Sequence, residues 1–224
     1  MIKLLSFSEV GDHASNEDAF RAGPHPSDPK SYLCFLADGQ GGRSGGLPAA
    51  QLACETALTR TKALPLRKLT ERATWETSLT QADRAVFADK EAGFTTLLGF
   101  YLTEDLIIGA SSGDSAVLVK SGSLEAFEAT QHQYKNPPVG SGGARFVPFA
   151  EKLQAPWSVL AMSDGVWKYA GWKQLIEAVS SLQGQTLIDH LQEQARLKNG
   201  RFPDDFTLTL FEKRAASPSS KRAA

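Results

Sequence analysis

The sequence predicts an α+β fold, and three observations carry that prediction. Between residues 94 and 127, strand-like segments follow one another with connections of only a few residues. Connections that short join antiparallel neighbours as hairpins and meanders. Helical spacing of apolar residues is confined to blocks before and after that region. The length of 224 residues and a hydrophobic content of 42% suit one large domain or two small ones. One domain over residues 1–213 is favoured.

Ile2–Val10 alternates as a strand, Asp18–Ala22 continues as another, and Tyr32–Ala37 is an apolar run bounded by turn residues. After the glycine-rich stretch from Gly39 to Gly46, Leu47–Thr61 carries Ala and Leu at helical spacing, with Pro48 tolerated in the first turn. A second helix is expected over Leu66–Lys90, burying Leu69, Ala73, Leu79, Ala82, Val86 and Phe87 on one face. Strands are expected at Phe94–Leu102, Leu106–Ser111, Ser115–Lys120 and Leu124–Phe127. Thr130–Pro156 is rich in Gly and Pro without a sustained period and reads as a long irregular loop. Trp157–Met162 returns as a strand, Trp172–Ser180 and Thr186–Leu197 as helices, and Phe206–Phe211 as a closing strand. Residues 214–224 form a polar, Ser- and Ala-rich tail expected to be disordered.

Composition excludes several classes of function. A net charge of -1 provides no broad basic field for nucleic acid or an anionic membrane. The first ten residues hold too short an apolar run for a signal peptide, and no stretch approaches the roughly 18 apolar residues of a membrane span. A cytoplasmic location, no membrane insertion and a monomeric state are expected. Cys34 and Cys54 are too few for a disulfide framework and read as buried small hydrophobes.

Four acidic segments lie where apolar strands run into turns: Asn16-Glu17-Asp18, Ala37-Asp38-Gly39, Ser163-Asp164-Gly165 and Asp204-Asp205. Taken singly, an Asp-Gly pair is a common way to begin a turn. As a set, carboxylates at strand ends can converge at one edge of a sheet, and hard divalent ions such as Mg(II) and Mn(II) select such oxygens.

With their flanks, the segments become six ordered motifs: Asn16-Glu-Asp-Ala-Phe20, Leu36-Ala-Asp-Gly-Gln-Gly-Gly42, Gly93-Phe-Thr-Thr-Leu-Leu98, Ser112-Gly-Asp-Ser115, Ala161-Met-Ser-Asp-Gly165 and Asp204-Asp-Phe-Thr207. This series resembles the metal-dependent protein phosphatases, also called type 2C Ser/Thr phosphatases, over nearly the whole chain. The resemblance implies a four-layer α-β-β-α sandwich of two antiparallel sheets flanked by helices, with two Mn or Mg ions at one end. It implies that Asp38 bridges both ions and the Gly39 carbonyl helps hold one. Glu17 maps to the second ion, and Asp164 and Asp204 to the first. Hydrolysis of phosphoserine or phosphothreonine in a phosphoprotein, opposing a Ser/Thr kinase, would then proceed by direct attack of a metal-bridging water. Asp114 resembles the ligand of an additional, weaker ion, with a hairpin-turn aspartate as the alternative. Asp18 points to the opposite side of an extended chain from Glu17 and reads as structural or as support for the ligands.

The chain also departs from the family it resembles. His13 stands where many members carry an Arg that forks onto the substrate phosphate, so His13 is either a weaker phosphate contact or an exposed turn residue. Gln40 replaces a His that protonates the leaving alkoxide in animal members. Arg43 is a substitute phosphate contact or a solvated surface residue. Asp205 replaces the usual Asn, where it either strengthens metal binding or faces solvent. Gln131 replaces the Asp of a family Asp-His pair, leaving His132 as a loop histidine. A bacterial-type phosphatase is the leading expectation, because the chain is short and almost all catalytic domain. A pseudophosphatase or phosphoprotein-binding module is the alternative.

Overall fold

The computed structural model describes residues 1–40 and 45–215. The chain runs β1 (Lys3–Glu9), β2 (Asp18–His25), β3 (Asp28–Asp38), α1 (Gly46–Lys62), α2 (Leu66–Leu69) and α3 (Arg72–Ala88). It continues through β4 (Leu97–Leu102), β5 (Leu106–Ser112), β6 (Ala116–Ser121), β7 (Phe127–Glu128), β8 (Val147–Lys152) and β9 (Trp157–Met162). It closes with α4 (Asp164–Ala170), α5 (Trp172–Ser181), α6 (Gly184–Ala195) and β10 (Phe206–Lys213). The strands form two five-stranded antiparallel sheets, ordered β1-β10-β9-β6-β7 and β2-β3-β4-β5-β8.

Side-chain alternation along the central strands sorts the molecule into layers, because successive residues of a strand face opposite sides of the sheet. In β3, Leu33, Phe35 and Ala37 pack on Ala49, Ala53, Trp75 and Leu79 of α1 and α3. Cys34 and Leu36 face the other way, into a core shared with Val159, Ala161 and Phe211 of the second sheet. The outer face of that second sheet, through Leu160, Met162 and Leu208, receives Val166, Leu175, Leu187 and Leu191 of α4, α5 and α6. The result is helices, sheet, sheet, helices, as the fold expectation required. Small residues let α1 lie close on its sheet: Ala49, Ala50, Ala53, Cys54 and Ala57 are all fully buried, and Ala also favours helix intrinsically. Both cysteines are free and buried.

Four local expectations fail. The helix expected over Leu66–Lys90 is broken into α2 and α3, and Phe87, assigned to its buried face, is 63% exposed. The stretch Thr130–Pro156 is not wholly irregular: β8 lies within it as an edge strand pairing with β5. Leu124 is exposed and outside the short strand β7. A helix, α4, follows Ser163 where only a turn was read. Arg43 and the tail beyond residue 215 lie outside the described residues. Among the described residues no helix is long and apolar enough to cross a membrane.

Candidate metal centre

The same alternation that builds the core between the sheets also brings the acidic residues together. Cys34 and Leu36 face between the sheets, and Asp38 is the next residue of that series at the end of β3. Phe20 and Ala22 likewise pack against this core, and Asp18 precedes them, opposite Asp38 in the β2–β3 register. From the other sheet, Asp205 stands two residues before Thr207, Asp204 beside it, and Asp164 begins α4 directly beyond β9. Carboxylates thus replace apolar groups where the inward-facing series end, and the gap between the sheets becomes an anionic cavity.

That cavity has a volume of about 460 Å³ and is lined by His13, Asp38, Gly39, Gln40, Asp114, Lys135, Asp164, Asp204 and Asp205, with Thr95 and Thr96 in its wall. A larger groove of about 960 Å³ runs between α1, α2 and α3 on the outer face, away from the acidic residues.

Backbone contacts fix the acidic groups in place. The Asp38 N–H donates to Thr96 Oγ1 at 2.9 Å, and Thr95 Oγ1 donates to the Asp38 carbonyl at 2.8 Å. Thr96 in turn shares a 2.7 Å hydrogen bond with Ser115, so two of the sequence motifs act by clamping a third. Asp205 does not face solvent. It is 5% exposed, and its carboxylate accepts from the Gly11 N–H at 2.8 Å and the Glu17 N–H at 2.7 Å. Sequence reasoning missed this role, which positions the segment bearing His13 and Glu17. A Cβ on Gly165 would overlap the Asp205 carbonyl oxygen, and one on Gly11 would overlap the Asp204 backbone. Glycine at both places therefore permits the close approach of these segments.

The electrostatics show uncompensated negative charge. Burial pushes the Asp18 carboxyl up to about 8, the Thr207 and Ser163 hydroxyls acting against it and the charges of Asp205 and Asp164 with it. Those hydroxyls are occupied by Ser8 and by backbone carbonyls, and neither Asp18 oxygen has a hydrogen-bond partner among the described residues. Asp38 is raised well above the usual carboxylate range, first by burial and then by Asp18, Asp164, Asp114 and Asp204. Burial also raises Asp164, against a hydrogen bond from Lys168. Glu17 Oε2 is buried beside Gly46 and lacks a partner among the described residues.

Partnerless buried oxygens and mutually repelling carboxylates are what an all-oxygen site for a hard divalent cation leaves behind, so the residues present fit such ions. Two of the carboxylates are nevertheless engaged by lysines. Lys168 pairs with Asp164, Lys135 with Asp114 at 2.7 Å, and Glu17 turns toward Gly46 at the start of α1. Among the described residues no three His, Cys, Asp or Glu side chains already form a cage for one ion.

The structure brings His13, Asp38, Gly39, Asp114, Asp164 and Asp204 to one cavity, with Glu17 adjoining through its backbone carbonyl, which accepts from the Gly39 N–H at 3.1 Å. His13 Nδ1 lies 3.8 Å from Asp204 Oδ1 and 3.6 Å from Asp205 Oδ2. Gln40 is exposed in the cavity wall, and His132 is exposed on its loop. The lysines went unread in the sequence, although the four-residue step from Asp164 to Lys168 on a helix is a legible pairing signal once α4 is assigned.

A family model described as protein phosphatase 2C matches residues 8–199. Among curated proteins none matches this chain. Several solved structures share the fold. A bacterial serine phosphatase is 18% identical with a TM-score of 0.79, covering 97% of this chain and 100% of that one. The Staphylococcus aureus serine/threonine phosphatase Stp1 is 20% identical with a TM-score of 0.77, covering 96% of each chain. The catalytic domain of serine/threonine protein phosphatase PstP, solved with two manganese ions, is 21% identical with a TM-score of 0.76, covering 94% of this chain and 97% of that one. RsbX, solved with magnesium, shows 15% identity and a TM-score of 0.73. Sandwich layers, acidic motifs at one open end and a sequence match spanning most of the length converge on one assignment: this chain belongs to the protein phosphatase 2C family.

Proposed function

We propose that this chain is a protein serine/threonine phosphatase that depends on Mn(II) or Mg(II). The observation that carries the reading is the cavity between the sheet ends, where Asp38, Asp164 and Asp204 meet without enough cationic partners. Glu17, Asp38 and the Gly39 carbonyl would hold one ion; Asp38, Asp164 and Asp204 would hold another, and Asp114 a third. The manganese and magnesium in two structural neighbours support this choice of ion. Bound ions would supply Lewis acidity toward water and neutralise charge on the phosphoryl oxygens.

The protein's own groups divide the remaining work. Asp205 fixes the Gly11–Glu17 segment through two N–H donors, which holds Glu17 and His13 at the cavity. Thr95 and Thr96 fix the backbone of Asp38. His13, 44% exposed at its side chain, is the proposed contact to the incoming phosphate, with one imidazole donor in place of a guanidinium fork. The Gln40 amide can donate a hydrogen bond but has no acidic proton to transfer, so leaving-group protonation falls to solvent in the cavity.

The test is hydrolysis of a phosphothreonine peptide with and without manganese. Turnover is expected only with the ion, and Asp38→Ala should reduce it by at least ~10²-fold, the scale of losing a charge-stabilising group. The pairing of Lys168 with Asp164 and of His13 with the Asp204–Asp205 pair favours a second reading, a phosphoprotein-binding module. Phosphopeptide binding without manganese-dependent turnover would select it.

A further inference from the structure

The proposed metal centre is not evenly open. On the side of Glu17, a buried carboxylate oxygen has no partner among the described residues. On the side of Asp164, a carboxylate oxygen is already capped by the Lys168 ammonium, one helical turn along α4. We propose that Lys168 is a built-in cation gating half of the centre, so that metal loads in two unequal steps. The first ion enters beside Glu17 and Asp38, and the second must displace Lys168 from Asp164. The inference rests on the metal-dependent reading above and concerns the order and strength of loading.

Three features support a lysine placed to compete and to leave. First, α4 presents it rigidly: Trp167 stacks on Trp172 at 5.7 Å between ring centroids and donates from Nε1 to the Asp114 carbonyl at 2.9 Å. That contact ties the helix to the cavity wall. Second, the Lys168 side chain is 41% exposed, so it can swing into solvent without breaking the core. Its resting place away from the carboxylate is at hand, since the ammonium already lies 5.9 Å from the Trp167 ring centroid. Third, one ammonium does not neutralise the cavity, because Asp38 and Asp204 line it with no lysine partner among the described residues, and the Asp18 charge acts on Asp38 from behind the wall. The attraction for a divalent ion therefore survives the lysine, and only its share on the Asp164 side is reduced.

The alternative, that Lys168 merely staples α4 as an ordinary helical pair at i and i+4, makes a different forecast. An exposed pair of that kind contributes little and biases no site. The two ideas part company in a manganese titration by isothermal calorimetry on the full chain, comparing wild type with Lys168→Met, Lys168→Arg and Lys173→Met. Lys173, 83% exposed on α5 and near Glu177, controls for a simple change of net charge.

Two binding steps are expected in wild type. Lys168→Met should strengthen the weaker step on the order of tenfold and leave the stronger within about twofold, the differential being the competing contact removed. Lys168→Arg should keep the weak step, and Lys173→Met should change neither. A wild type that takes up one ion where Lys168→Met takes up two is the limiting form of the same result. Tryptophan fluorescence gives a second readout, with a change from Trp167 accompanying the weaker step in wild type and lost in Lys168→Met. Equal strengthening of both steps in Lys168→Met, or of neither, overturns the gating role while leaving the metal centre intact. Absence of any manganese uptake by wild type overturns the metal-dependent reading itself, and the gate with it. Circular dichroism of each variant confirms that the comparison is between folded chains.

Discussion

Asp18 and Asp38 face each other across β2 and β3, and no cation among the described residues pairs with either. In the unfolded chain Asp18 titrates at the ordinary carboxylate value; in the folded chain burial lifts it to about 8. The folded state therefore holds a proton that the unfolded state releases. Its contribution to stability is complete below about pH 4 and is lost as pH rises through about 8. Chelator-treated protein should accordingly lose stability across that window. Asp18→Asn, which cannot ionise, should make the loss shallower and leave the variant more stable than wild type at pH 8. Urea unfolding at several pH values measures both, and an unchanged slope in the variant would refute the account. Asp38, Asp164 and Asp204 were legible as a group because their flanking residues recur in order. Asp205 was not, because a second Asp after the first carries no sign that two distant N–H groups will claim it.

At the scale of elements, Asp83 illustrates how a helix can hold a loop. It is fully buried on α3, and its carboxylate accepts from the N–H groups of Gly140, Gly142 and Ala144 at 2.7, 3.2 and 3.2 Å. The loop it anchors pairs through Val139 with Thr95, the residue that donates to the Asp38 carbonyl. Asp83→Ala should cost about 3 kcal/mol by orphaning these amides. Hydrogen exchange at Gly140, Gly142 and Ala144 should accelerate ahead of the sheets, and uniform acceleration would argue against a local anchor. Strand β8 escaped sequence reading because Gly and Pro flank it and its strand character comes from pairing with β5, a non-local cause. The helix α4 escaped because Ser163-Asp-Gly165 also spells a turn, and only packing of Val166 into the outer core decides between them.

The whole molecule depends on its two sheets staying face to face. Phe211, fully buried, meets Tyr32 and Phe100 of the opposite sheet edge-to-face, each at 5.7 Å between ring centroids. Phe211→Ala should cost about 3–5 kcal/mol, and unfolding should remain one cooperative transition if the two sheets form a single unit. Separate transitions in urea, followed by fluorescence and circular dichroism, would contradict that unity. The architecture was legible in outline because alternating strands and short connections are local signals. The seam between the sheets was not, since nothing in a single strand says which of its faces meets another sheet.

The acidic cavity has walls from both sides of that seam. Asp38 arrives from one sheet, Asp164 and Asp204 from the segments that leave and enter strands of the other. An ion lodged there would act as a rivet through the two halves of the molecule. Catalytic competence and mechanical closure would then be drawn from one and the same bond, and an environment poor in the ion would slacken the sandwich while it silenced the chemistry.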